Sequence, residues 1–233
     1  MDLHFILTAS GSSADWSTFL EPIATSLKVS IASGVLVFLG AAVVAWRMSR
    51  RSFRGKLLLE TVILLPLVLP PTVVGFVLLA VFGRSSWTGK AIEAVFGASP
   101  VFTATAAVIA AMVVSFPLVY QAVKSGFQSV DSQLEEAARS MGANEWQVFR
   151  WITLPLSGRA LVSGFVLGYA RGLGEFGATY MFAGNIPGRT QTLPTAVYLA
   201  VETGRWGMAW MWCAVMVAIS MLMLYAVSRL NRR

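Results

Sequence analysis

The stretch 23-IATSLKVSIASGVLVFLGAAVVAWRMSRRSFRGK-56 decides the fold class. It opens with 24 residues, Ile23 to Trp46, whose one charge is Lys28, and closes on Arg47, Arg50, Arg51, Arg54 and Lys56. A helix of about 20 mostly apolar residues crosses a hydrocarbon core of roughly 30 Å. A basic cluster directly after such a run marks a cytoplasmic boundary. Lys28 lies near the outer end, where its stem can snorkel. Four further stretches have the same character: about Leu57 to Phe82, Val101 to Val123, Leu156 to Ala183 and Trp206 to Val227. The expected fold is an all-α integral membrane protein with five transmembrane helices.

Composition agrees. Of the 233 residues, 56% are hydrophobic and 12% charged, against about 25% charged in a soluble domain. The net charge of +7 therefore points to topology before nucleic acid. The first loop carries its five basic residues, the third carries Lys124, Arg139, Arg150 and Arg159, and the tail carries Arg229, Arg232 and Arg233. The opposite side holds Arg84, Lys90, Arg189 and Arg205. The positive-inside rule then puts the N-terminus outside and the C-terminus inside. Met1 to Leu7 lacks the basic cluster of a cleavable signal, so residues 1–22 are expected as an extracytoplasmic tail and residues 23–233 as the transmembrane domain. Trp16, Trp46, Trp87, Trp206, Trp210 and Tyr225 lie near span ends, as interfacial anchors do.

The third loop has helix punctuation. Asp131 or Ser132 can cap a start, and Ser132 with Glu135 has capping-box spacing. Gln133 to Met141 is rich in helix formers, and Gly142 fits a left-handed C-terminal cap. Asn144 can cap a second helix, Glu145 to Trp151, ending before Pro155. Leu134, Ala138 and Met141 fall on one face.

Glu136-Ala137-Ala138, then three residues, Gly142, then nine residues, Ile152-Thr153-Leu154-Pro155 resembles the EAA motif of ABC importer permeases, with every fixed position matched. The resemblance implies cytoplasmic coupling helices, at about 131–155, that sit in a groove of a separate ATPase. Glu136, Ala137, Ala138, Gly142, Ile152, Leu154 and Pro155 are its docking residues. Ala137 and Ala138 permit close approach, and Gly142 supplies a turn that a side chain would hinder. Glu136 could pair with a basic residue or cap backbone donors. An amphipathic helix lying on the membrane is the alternative.

Three other stretches narrow the family. Leu64 to Gly75, LLPLVLPPTVVG, is similar to the corresponding span of molybdate permeases. Arg171-Gly172-Leu173-Gly174-Glu175-Phe176-Gly177-Ala178 resembles a signature shared by molybdate and sulfate permeases, and Asn185-Ile186-Pro187-Gly188 with Thr190, Thr192, Pro194, Ala196 and Tyr198 leans towards molybdate. The resemblance runs from about Leu27 to the C-terminus. It implies a homodimer of this chain, two cytoplasmic ATPases and an extracytoplasmic oxyanion-binding protein in a bacterial-type inner membrane. Sulfate, thiosulfate and tungstate are alternative cargoes. A self-sufficient secondary transporter or channel is the alternative of another class, although no second half matches the broken span.

Within the spans, Pro66, Pro70 and Pro71 each lack an N–H and clash with the preceding turn. The freed carbonyls need neighbours or water, so pore lining and kinked packing both fit. Pro117 implies a kink in span three. Gly164, Gly168 and Gly172 form a smooth ridge for close contact, between copies or within one. Arg171 falls near mid-membrane, where a charge costs at least ~2.5 kcal/mol, and Glu175 at i+4 can be its partner. The pair either offers positive potential to a passing oxyanion or fixes helix packing.

No cofactor or catalytic site is expected. Gly83 to Lys90 has P-loop glycines one residue too far apart, and Ala91 follows Lys90 where a hydroxyl is required. His4 is the one histidine and Cys213 the one cysteine. ATP chemistry is thus assigned to a partner, and no nucleic-acid role is implied.

Overall fold

Proline and glycine positions, more than apolar length, set where the helices stop. The computed structural model describes residues 13–231. His4, Arg232 and Arg233 lie outside them. Helix α1 runs Ser13–Arg50 with Pro22 inside it. It begins before Ile23, so residues 13–22 of the expected tail are helical.

The second span is not one helix. It divides into α2, Lys56–Val68, and α3, Pro71–Phe82, bent by 114°. Leu69 is extended, with ψ 143°, as the residue before a proline prefers. Pro70 and Pro71 then start a new helix, where a missing N–H does no harm. Pro66 stays inside α2. Helix α4, Trp87–Phe96, follows, its first turn capped by Ser86 accepting from the Gly89 N–H at 2.9 Å. Gly89 is buried, and a Cβ there would strike the Gly83 and Phe82 carbonyl oxygens, so the P-loop-like glycines serve a tight turn.

Helix α5, Ala104–Gln128, starts three residues after Val101. Thr103 caps it by accepting from the Ala106 N–H at 3.2 Å, and Pro117 sits buried inside it. The fourth span is also interrupted: α9, Gly158–Leu173, ends at a break before α10, Gly177–Ala183. Helix α11, Leu193–Glu202, is a short element not anticipated from apolar length. Helix α12, Trp206–Asn231, is the last described element. The remaining pieces, α6 to α8, form the third loop and are described below.

Helices α1, α5 and α9 make the centre. Buried alanines Ala41, Ala45, Ala107 and Ala111 let backbones approach, the device that replaces hydrophobic drive between membrane helices. The glycine ridge of α9 is spent within the chain. Gly164 lies against Ala122 and Val123, Gly168 against Val119, and Gly172 against Ser33 and Ala111. Trp212 holds the start of α12 by donating its indole N–H to the Phe19 carbonyl at 3.0 Å. Beyond it, Val217, Met221, Leu222 and Leu224 are exposed. Among the described residues, three helices are long and apolar enough to cross a membrane, or up to five if each bent pair is one span.

Candidate functional site

The third loop is an elbow built from caps. Helix α6 runs Ser132–Ser140 and is capped by Asp131, which accepts from the Gln133 N–H at 2.9 Å. The Ser132–Glu135 capping box does not form, because Glu135 turns inward. Gly142 takes φ +91°, a left-handed turn that costs a residue with a Cβ roughly 1–2 kcal/mol. Helix α7, Glu145–Val148, carries a reciprocal cap: Gln147 N–H to Asn144 at 2.9 Å and Asn144 N–H to Gln147 at 2.8 Å. The second helix does not stop before Pro155. It passes through a π turn, Phe149–Thr153, into α8, Leu154–Leu156, and bends by 71° into α9. The widened turn accommodates the proline that a continuous α-helix would reject.

Glu135 is the anchor. Its carboxylate takes two hydrogen bonds from the Arg50 guanidinium at the end of α1. Thr153 donates to it at 2.6 Å, and Arg50 also donates to the Thr153 hydroxyl at 2.9 Å. Both Glu135 and Thr153 are buried. One charge pair therefore ties the first span, α6 and the π turn together, and it sets the first and third loops at the same end of the bundle. A second bridge, Arg139 to Glu145 at 2.6 Å, joins α6 to α7. The hydrogen bond from Arg139 holds the Glu145 carboxyl below its usual range. Phe149 completes the joint against Trp46, Phe127 and Trp146.

The acid that pairs with a basic residue is Glu135, next to the motif's Glu136. Glu136 is exposed, with no ion pair among the described residues. Ala137, Gly142 and Pro155 are exposed as well, Ala138 and Ile152 are half-buried, and Leu154 is half-buried against the body. Leu134 is exposed and Met141 is 89% exposed, so that face is presented outward. A cleft of ≈ 350 Å³ opens there, lined by Ala138, Met141, Gly142, Val148, Trp151 and Ile152. Glu135, Arg50 and Thr153 were missed. The choice between the two adjacent acids is made by Arg50, which is distant in sequence.

The two broken spans meet. A Cβ on Gly75 of α3 would lie 2.8 Å from the Ala178 Cα of α10, and one on Gly177 would lie 3.1 Å from the Pro71 Cβ and the Thr72 nitrogen. Glu175 is not on the helix of Arg171, since α9 ends at Leu173. The pair still forms, at 2.7 Å, with side-chain exposures of 32% for Arg171 and 1% for Glu175. The other Glu175 oxygen accepts from the Ala178 N–H at 2.9 Å. Glu175 is thus fully committed to bridging the break, whereas the Arg171 side chain is partly exposed. Pro70, Pro71 and Gly174 are exposed beside the breaks, Pro66 is half-buried, and Gly172 is buried. Phe176, Tyr180 and Tyr198 cluster next to them with ring centroids 5.2–5.8 Å apart.

A multi-pass bundle with paired span breaks and an outward-facing helical elbow defines a membrane transport subunit. Residues 37–233 match the binding-protein-dependent transport system inner membrane component family, and the chain belongs to it. It is 51% identical over 219 residues to the permease protein YvgM of Bacillus subtilis, covering 94% of this chain and 96% of that one. It is 46% identical to the molybdenum transport system permease protein ModB of Haemophilus influenzae, covering 79% and 80%. The fold matches a crystal structure of a bacterial ABC transporter involved in alginate import with a TM-score of 0.77 at 16% identity, covering all of this chain and 84% of that one.

Proposed function

We propose that this chain is the permease subunit of an ATP-driven importer and that its cargo is molybdate. The observation that carries the permease reading is the anchored elbow: Glu136, Ala137, Gly142 and Pro155 of the matched motif are exposed while Glu135 fixes its base to α1. The cargo rests on the identity to the named molybdenum permease. In this reading two copies assemble with two cytoplasmic ATPases, and an extracytoplasmic binding protein delivers the oxyanion. The basic end faces the cytoplasm of a bacterial-type inner membrane, with residues 1–22 outside and residues 23–233 forming the transmembrane domain.

The mechanism follows from the ties. ATP-driven closure of the ATPases moves the elbows. The Arg50–Glu135–Thr153 network obliges α1 to move with them, and α1 packs directly on α5 and α9. Each elbow position must favour a different arrangement of the spans, since only a differential interaction shifts a two-state equilibrium. The meeting of Pro71 and Gly177 is the bend where those arrangements differ, and the partly exposed Arg171 offers positive potential to the passing dianion.

The test is co-expression with a candidate ATPase. Replacing both Ala137 and Ala138 with Leu is expected to abolish co-purification or to uncouple hydrolysis from uptake. Arg171→Ala is expected to abolish uptake while leaving the complex intact. Wild-type coupling in the first variant overturns the docking role, and wild-type uptake in the second overturns the pathway role.

A further inference from the structure

We propose that the cleft at the basic end of α1 binds the headgroup of an anionic phospholipid of the inner leaflet. The cleft encloses ≈ 660 Å³ and is lined by Trp46, Arg47, Arg50, Arg51, Arg139 and Glu145. Its charges do not cancel. Arg50 is spent on Glu135, and Arg139 on Glu145 and Glu135. Arg47 and Arg51 are exposed and have no acidic partner among the described residues. Two unpaired guanidiniums at one rim present planar donor forks that match a phosphate.

The apolar half of the site lies on the same helix. Leu36, Leu39 and Val43 are all exposed, and their spacing of three and four residues leads to Arg47 on one face of α1. Phe53 and Leu57 are exposed just beyond the rim. An apolar stripe that ends in unpaired arginines beside an indole is complementary to an amphiphile with an anionic head. A free oxyanion would engage only the arginines, whereas an anionic lipid also lays its acyl chains along the stripe. Basic pockets at the cytoplasmic ends of spans are a recognised setting for acidic headgroups. A phosphate held by Arg47 and Arg51 also screens those charges from Arg50, leaving Arg50 to Glu135, so the lipid would steady the elbow.

The inference rests on the orientation given above, but its readout is binding, so failure of transport would leave it intact. The full chain is purified in mild detergent, and retained phosphatidylglycerol is counted by native mass spectrometry during titration. Wild type is expected to retain phosphatidylglycerol over phosphatidylcholine. Arg47→Gln with Arg51→Gln is expected to weaken that binding about thirtyfold, the value of two interfacial charges. Arg84→Gln with Lys90→Gln removes equal charge at the other end and is expected to leave it unchanged. Leu39→Ser with Val43→Ser keeps both arginines and is expected to weaken retention too, which covers the case in which the arginine variant does not fold. Equal retention by the arginine or stripe variants, or an equal loss in the distant control, overturns the proposal. So does displacement of the lipid by inorganic phosphate at matched concentration, which would make the cleft a site for free anions.

Discussion

Glu135→Ala is the perturbation with the largest expected consequence away from any cargo. It removes the carboxylate that accepts from Arg50 and from Thr153. Arg50 is then left with the Thr153 hydroxyl as its remaining partner in the network. Breaking a buried ion pair from one side costs about 3–5 kcal/mol, mostly because the surviving charge is stranded. Side-chain exposures are 24% for Arg50 and 7% for Glu135. Arg50 can therefore draw some water from the cleft, which places the cost near the lower end, about 3 kcal/mol. That is a factor of about 150 in the equilibrium between the tied and the untied elbow. The assays are hydrogen exchange over residues 131–156 and, in reconstituted complexes, cargo uptake alongside ATP hydrolysis. Exchange is expected to rise across α6 and the π turn, and uptake to fall at least tenfold while hydrolysis continues. Arg50→Glu with Glu135→Arg is expected to recover much of the uptake, because the pair is restored in reverse. Wild-type exchange and coupling in Glu135→Ala, or a swap no better than either single change, would refute the idea that this pair carries the motion.

Further outcomes follow from the same geometry. Gly168→Val would drive a side chain into Val119, an overpacking expected to destabilise by about 1–3 kcal/mol, read as a lower thermal midpoint in detergent. Gly142→Val forces a β-branched residue to φ +91° and is expected to cost about 1–2 kcal/mol, read as lost coupling with the chain still inserted. The Arg139–Glu145 bridge depends on an ionised Glu145. Its carboxyl is held low, so the contribution is complete above the ordinary carboxylate range and lost as pH falls through the lowered value. With Glu145 62% exposed, water screens the pair to about 0.2–1 kcal/mol. Glu145→Gln is expected to remove that small pH dependence from elbow melting.

Much of this structure could be read from single residues, and the exceptions share a cause. Apolar runs and basic loops located the spans because the bilayer imposes a length and a charge bias on each segment separately. Gly142 and Asn144 set the elbow locally, and both act as expected. The division of span two follows from Pro70–Pro71, but apolar length alone cannot tell a long span from two short helices folded at 114°. The break after Leu173 has no proline at all. It is stabilised by Glu175 capping Ala178 and holding Arg171, contacts that exist only once the chain has turned. The inward choice of Glu135 over Glu136 is likewise decided by Arg50, 85 residues away. Long-range pairing of this kind leaves no local periodicity.

The central claim is that the elbow converts ATP hydrolysis in a partner into movement of an oxyanion through the two broken spans. Proteoliposomes containing this chain, a cognate ATPase and a binding protein test it most directly, through uptake of radiolabelled molybdate with and without ATP in the presence of excess sulfate. ATP-dependent accumulation that sulfate does not displace, and that Glu135→Ala abolishes, is the predicted result. Accumulation without ATP or without the ATPase, or none in the complete system, would contradict the account.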